Sequence, residues 1–281
     1  MNTDDTSQPA RVPVDIATDE LDDHDLARRL ATDAGKLLLR IREEVGFAEP
    51  ATLRDAGDAR SHQLLARALA RHRPLDAVLS EEGVDDPARL SADRVWIVDP
   101  LDGTREFAEP GRTDWAVHVA LWQRGELVTG AVALPALGIT LPGADGPPLA
   151  SPVANPPRIV ASRTRAPLLV SQVAEALGAT IVPMGSAGAK AGAVIRGQAE
   201  IYLHAGGQYE WDSAAPVAVA RAAGLHTSRL DGSPLRYNRP DPLLPDLVIC
   251  AAPLAAAVLA AIAAAAGPDH GGSGGQSQSF R

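Results

Sequence analysis

Val95-Trp96-Ile97-Val98-Asp99-Pro100-Leu101-Asp102-Gly103-Thr104-Arg105-Glu106-Phe107 joins four apolar residues to a tight Pro/Gly turn that carries two carboxylates. The apolar run reads as the end of a buried strand, and Thr104 opens a helix. Asp99, Asp102 and the Leu101 carbonyl can then aim at one point. The backbone N–H groups of Gly103 and Thr104 point towards an incoming anion. By itself the turn is better explained as an ordinary strand-to-helix junction in which Asp99 and Asp102 are caps.

Upstream, Leu26, Leu30, Ala34, Leu37, Leu38, Ile41 and Val45 recur at helical spacing, with Asp22, Asp23 and Asp25 at the start and Gly46 at the end. Residues 51–57 read as turn-like. A second helix is expected to begin at Asp58 and to bury Leu64, Leu65, Ala68 and Leu69, and Pro74 stops it. Residues 77–80 make a short strand that ends in Glu81-Glu82, so carboxylates again follow a strand.

Downstream, strand patterns at 115–122 and 126–134 flank a hairpin turn at Arg124-Gly125, and 138–141 adds a third strand to an antiparallel sheet. The Gly/Pro-rich run 142–157 marks a boundary near residue 150. Beyond it strands at 158–161, 180–183 and 200–204 alternate with helices at 167–177, 186–196 and 212–223, followed by a last strand and helix. The expected layout is an α+β half at 22–150 with an antiparallel sheet and most of the carboxylates, then an α/β half at 151–267. Residues 1–21 are expected to be disordered and 268–281 a flexible tail.

The chain has 281 residues, of which 46% are hydrophobic, enough for substantial cores. Its net charge of −9, with 26 basic residues scattered among 35 acidic ones, excludes a nucleic-acid surface. Cys250 is the single cysteine, which rules out disulfides within the chain and thiolate metal sites, and points to a reducing cytoplasm. No secretory signal is evident in the first 20 residues. The apolar stretch 247–266 is dominated by alanine and broken at Pro253, so it reads as a strand and a packed helix rather than a membrane span.

In order, Ser80-Glu81-Glu82, Asp99-Pro100-Leu101-Asp102-Gly103-Thr104 and Trp211-Asp212-Ser213-Ala214-Ala215-Pro216 form a signature. It resembles the lithium-sensitive, magnesium-dependent phosphatase superfamily typified by inositol monophosphatase. The likeness runs from about Leu26 to Ala266. Arg105-Glu106-Phe107, with Trp211 to Ala215, looks most like the CysQ-type 3′(2′),5′-bisphosphate nucleotidases. Inositol monophosphatases usually carry Thr-Asn-Phe where Arg105 to Phe107 stand.

The resemblance implies a layered αβαβα sandwich. It implies Mg²⁺, two or three ions per site, held by Glu81, Asp99, the Leu101 carbonyl, Asp102 and Asp212. Oxygen donors alone suit that ion. Glu81 and Thr104 would direct the attacking water, with Asp58 as the partner of Thr104. Asp58 also reads as a plain helix cap, because Arg54-Asp55-Ala56-Gly57 departs from the family pattern just before it. Glu82 reads either as the holder of a third ion through water or as a solvated charge. Gly103, Thr104, Arg105, Ser186, Lys190 and Asp212 would face the substrate, Ser186 and Lys190 through a helix start whose N–H groups can bind an anion. Ser162-Arg163-Thr164-Arg165 ends a strand and reads either as phosphate-binding or as solvated surface. His62, His118 and His204 show no partner spacing and read as structural.

The implied activity removes the 3′-phosphate of adenosine 3′,5′-bisphosphate, and that of its sulfated analogue, to clear a by-product of sulfate assimilation. Lithium inhibition and a homodimer are implied with it. Inositol monophosphate and fructose 1,6-bisphosphate remain open as substrates for the same chemistry. A non-catalytic metal or nucleotide sensor is disfavoured because every acidic position is present. A glycosidase is disfavoured because Asp99 and Asp102 share one turn instead of flanking a cleft.

Overall fold

The structure, a computed structural model, describes residues 21–143, 153–164 and 167–266. Helix α1 (Asp23–Val45) starts where the Asp22 carboxylate accepts from Asp25 N at 2.8 Å, and its buried stripe runs through Leu26, Leu30, Ala34, Leu38 and Ile41. Helix α2 is Pro50–His72, so residues 51–57 are not a turn and Asp58 caps nothing. Pro50 opens the first turn, where its missing N–H costs nothing. Gly57 is no breaker: a Cβ there would stand 2.8 Å from Leu101 and Phe107, so the glycine lets the helix lie against them. In α2, Leu65 and Leu69 are buried, whereas Leu64 and Ala68 are only partly covered.

The first sheet contains β1 (Ala77–Ser80), β2 (Arg94–Asp102), β3 (Ala116–Gln123), β4 (Glu126–Leu134) and β5 (Ile139–Pro142), in that spatial order. Short helix α3 (Thr104–Phe107) follows β2. Strands β2 to β5 form the expected antiparallel meander, but β1 lies parallel to β2. The expected boundary near residue 150 falls outside the described residues, as do the tail at 268–281 and all but Leu21 of the segment 1–21 expected to be disordered; Leu21 O accepts from Arg73 at 2.7 Å.

The second sheet has the order β7-β6-β8-β10-β9. Its chain order is β6 (Arg158–Ser162), α4 (Leu168–Leu177), β7 (Thr180–Met184), α5 (Ala187–Ile195), β8 (Ile201–Ala205), α6 (Glu210–Ala222), β9 (His226–Ser228), β10 (Asp246–Cys250) and α7 (Ala255–Ala266). Strands β7, β6 and β8 are parallel, and β10 runs antiparallel to β8 and β9. The three-residue β9 has no sequence pattern long enough to announce it. Residues 247–266 form most of β10 and all of α7, and no helix among the described residues is long and apolar enough to cross a membrane.

Side-chain alternation builds the layers. Trp96 and Val98 face α1 and α2, whereas Val95 and Ile97 face a middle core shared with α5 and α6. In the second sheet Val160 and Tyr202 face that middle core. Ile159, Ile201 and Leu203 face α4 and α7. The result is helices, sheet, helices, sheet, helices: the αβαβα sandwich.

Candidate metal and phosphate site

Strand register brings the acids together. Parallel pairing of Ser80 with Val98 sets the next residues, Glu81 and Asp99, side by side at the carboxyl ends of β1 and β2. Against β3, Asp99 pairs with His118 and Asp102 with Ala116, so β2 carries an extra residue there and bulges. Leu101 N donates to Asp99 Oδ1 at 3.0 Å, and Ser61 Oγ on α2 donates to Pro100 O at 2.7 Å. The bulge is therefore held from within and from behind. Asp212 arrives from the first turn of α6, where it accepts from Tyr209 N at 2.7 Å.

Carboxylate oxygens of Asp99, Asp102 and Asp212 lie within 4.8 Å of one another. Glu81 is exposed as a residue, yet its carboxyl end is crowded by the other acids and shares a hydrogen bond with Asp99. Burial, then the charges of Glu81 and Asp102, push Asp99 well above the carboxylate range. Burial and Asp212 raise Glu81 to about 7; burial and Asp102 raise Asp212 to about 6. Such mutual repulsion is relieved by a cation, and an all-oxygen donor set suits a hard one. The cluster thus fits the metal that the family resemblance implies.

Asp102 behaves oppositely. Burial would raise it, but the His118 imidazole beside it, with hydrogen bonds from Ser186 Oγ and Gly188 N, outweighs burial and brings it down to about 2. Ser186 Oγ donates at 2.5 Å, Ala187 N at 3.1 Å and Gly188 N at 2.6 Å. The N-terminus of α5, expected to receive a substrate anion, thus receives Asp102 instead. Lys190 turns its buried ammonium to Gly185 O at 3.0 Å and Ser186 O at 2.6 Å, under the Tyr202 ring. Gly188 must lack a side chain, since a Cβ would lie 2.2 Å from His118 Nε2. Gly103 adopts φ 83° and packs so closely that a Cβ would stand 2.9 Å from Ser186 Cβ.

His118 is more than the filler its sequence position suggested. It is fully buried, with Nε2 3.2 Å from Asp102 Oδ2 and Nδ1 3.0 Å from Trp211 O. His62 contacts Ser80 Oγ at 3.1 Å, and His204 lines the cleft. Asp58, in the middle of α2, lies beside Thr104, whose hydroxyl donates to Leu101 O at 3.1 Å. Burial, then Glu82 and Asp55, raises the Asp58 carboxyl to about 7. Glu82 is exposed.

A cleft of about 650 Å³ opens over these groups, walled by Gly103, Thr104 and Arg105 on one side and by Ser186, His204 and Gln208 on the other. Gln208 was not anticipated; its amide donates to Tyr202 OH at 2.8 Å. Arg105 is exposed in the cleft wall and makes no ion pair among the described residues. Arg163 also lines the cleft but is committed to Glu106 and Glu109, at 2.9 and 2.6 Å. Arg165 lies outside the described residues.

A layered sandwich whose cleft is walled by converging carboxylates and by a guanidinium without an ion pair among the described residues defines the class, an acid-lined site suited to a cation and a phosphate. The sequence profile of the inositol monophosphatase family matches residues 24–267, and the chain belongs to that family. It is similar to the 3′-phosphoadenosine 5′-phosphate phosphatase of Mycobacterium bovis, 56% identical over 239 residues that cover 82% of this chain and 90% of that one. It is 30% identical to the 3′(2′),5′-bisphosphate nucleotidase CysQ of Escherichia coli over 228 residues, 75% of this chain and 92% of that one. The crystal structure of CysQ from Bacteroides thetaiotaomicron superposes with a TM-score of 0.67 at 29% identity, covering 81% of this chain and 96% of that one.

Proposed function

We propose that the cleft hydrolyses the 3′-phosphate of adenosine 3′,5′-bisphosphate to AMP and phosphate, and acts likewise on its sulfated analogue. Its role would be to remove a by-product of sulfate assimilation. The observation that carries this reading is Arg105. It follows the Asp99–Thr104 turn directly and lacks a carboxylate partner among the described residues, whereas the neighbouring Arg163 is neutralised by Glu106 and Glu109. One free guanidinium beside an acid cluster suits a substrate with a second phosphate.

In this reading Glu81, Asp99, the Leu101 carbonyl, Asp102 and Asp212 hold Mg²⁺, two or three ions per site. Bound Mg²⁺ supplies phosphate polarisation and a more acidic water. Glu81, at the edge of the cluster, accepts the proton of the attacking water. With the Leu101 carbonyl turned to the cation, Asp58 accepts the single proton of the Thr104 hydroxyl, whose oxygen directs that water. Gly103 N–H and Thr104 N–H donate to the phosphate, and Arg105 pairs with the second anion. Ser186 and Lys190 hold the opposite wall, Ser186 by fixing Asp102. A homodimer belongs to the same reading, and sedimentation tests it.

The test of substrate is phosphate release from adenosine 3′,5′-bisphosphate, its sulfated analogue, inositol monophosphate and fructose 1,6-bisphosphate, each with Mg²⁺ and with EDTA. The reading requires the highest kcat/KM on the adenosine bisphosphate and no turnover in EDTA. Preference for inositol phosphate or fructose bisphosphate overturns it.

A further inference from the structure

Arg89 is a buried cation that none of the chemistry above employs. It lies in the connection from β1 to β2, on the chain just after Glu81 and Glu82, and its side chain is 1% exposed. Its Nε and Nη2 donate to Asp85 at 2.6 and 3.0 Å. Nη1 donates to Asn238 Oδ1 at 2.8 Å and Nη2 to Arg239 O at 3.0 Å, and Asn238 Nδ2 returns a bond to Arg89 O at 3.1 Å. These contacts join segments 149 residues apart.

The turn at Asn238 continues the relay. Asn238 adopts φ 57°, and consecutive N–H groups of Asn238 and Arg239 donate to the two oxygens of Glu210, at 2.6 and 2.8 Å. Glu210 is 1% exposed and is the first residue of α6, the helix that delivers Asp212. The line Arg89, Asn238, Glu210 therefore runs from the loop that carries Glu81 to the helix end that carries Asp212.

Burying an arginine and a glutamate contributes little stability that apolar side chains could not supply as well. What these groups provide is a fixed distance. We infer that Arg89, Asn238 and Glu210 are positioning residues that brace the Glu81 loop against the α6 N-terminus and so set the spacing of the two halves of the acid cluster. The inference rests on the reading of Glu81 and Asp212 as cation ligands. Groups that orient ligands from behind typically matter 10- to 100-fold in metal affinity or activity.

The variant Asn238→Gly loses both side-chain bonds between Asn238 and Arg89 and leaves only the Arg89 bond to Arg239 O, while glycine accepts the positive φ and keeps the backbone N–H to Glu210. Arg89→Lys is a second route, since an ammonium cannot span Asp85 and Asn238 together. The control is Arg158→Gln, which breaks the Arg158–Glu200 pair at the far end of β6 from the cleft. The readout is the melting temperature of the full chain in EDTA and across a Mg²⁺ titration, because a bound ion raises it by mass action.

The brace predicts that the Mg²⁺ concentration giving half of the full rise goes up about 10-fold or more in Asn238→Gly and Arg89→Lys, and stays put in Arg158→Gln. Lower melting temperatures in EDTA with an unchanged half-rise concentration would make Arg89 and Asn238 mere fold elements and overturn the inference. Absence of any Mg²⁺-dependent rise in the unaltered protein would instead overturn the cation-ligand reading, and the brace with it.

Discussion

His118 Nε2 lies 3.2 Å from Asp102 Oδ2, and the opposite ring nitrogen meets the Trp211 carbonyl at 3.0 Å. One imidazole thereby ties the β2 bulge to the residue next to Asp212. Burial works against protonating that ring, but Asp102 and the Trp211 carbonyl prevail and raise its pKa. In His118→Leu the Asp102 carboxyl, no longer held near 2, rises, and the acid cluster loses its fixed member. The Mg²⁺ concentration for half-maximal phosphate release should increase about 10- to 100-fold. An unchanged Mg²⁺ requirement in a folded variant would remove His118 from the site.

Arg105 carries the choice of substrate. Arg105→Gln removes a guanidinium of the cleft wall that has no ion pair among the described residues, without touching the acid cluster. KM for adenosine 3′,5′-bisphosphate should rise about 10-fold or more, the scale of a lost charge-assisted hydrogen bond. Turnover of inositol monophosphate, which has no second phosphate, should change far less. Steady-state kinetics on both substrates checks this, and equal losses on the two contradict it.

Glu200 offers a test of the scaffold apart from the site. Burial would raise its carboxyl, but the guanidinium and backbone N–H of Arg158 outweigh burial and hold it below its usual 4.5. A carboxyl whose pKa is depressed by folding contributes stability above its unfolded pKa and loses that contribution as pH falls through the folded value. Glu200→Gln should therefore show a lower urea midpoint than the unaltered protein at pH 7. The gap should close on acidification below about 4.5. A gap constant from pH 7 to pH 3 contradicts the assignment.

Glu81, Asp99 and Asp102 were legible in the sequence because they follow short apolar runs, and residue type plus position at a strand end is local information, whereas Asp212, in the first turn of α6, follows a polar stretch and was singled out by the resemblance. The same holds for α1, whose caps Asp22 and Gly46 bracket a clean helical stripe. Gly57 misled because a glycine inside a helix looks like a breaker until Leu101 and Phe107 are seen against it. His118 was hidden because its partner is set by the register between β2 and β3, which no local pattern encodes. Arg89 and Glu210 were hidden for the same reason, their shared partner Asn238 lying 149 residues from Arg89. The start of α5 looked like a ligand site, and it is one, but its ligand is Asp102 from the same chain.

The most direct measurement is the initial rate of phosphate release from adenosine 3′,5′-bisphosphate by the unaltered protein and by Asp99→Asn, each across a Mg²⁺ titration from a chelated baseline. Asp99 is buried at the centre of the acid cluster, where burial and the neighbouring charges of Glu81 and Asp102 disfavour its ionised form. The account predicts no turnover at the chelated baseline, saturable activation by Mg²⁺, and a rate in Asp99→Asn lower by about 10²-fold or more at every Mg²⁺ concentration. Turnover independent of Mg²⁺, or a near-normal rate in Asp99→Asn, would contradict it.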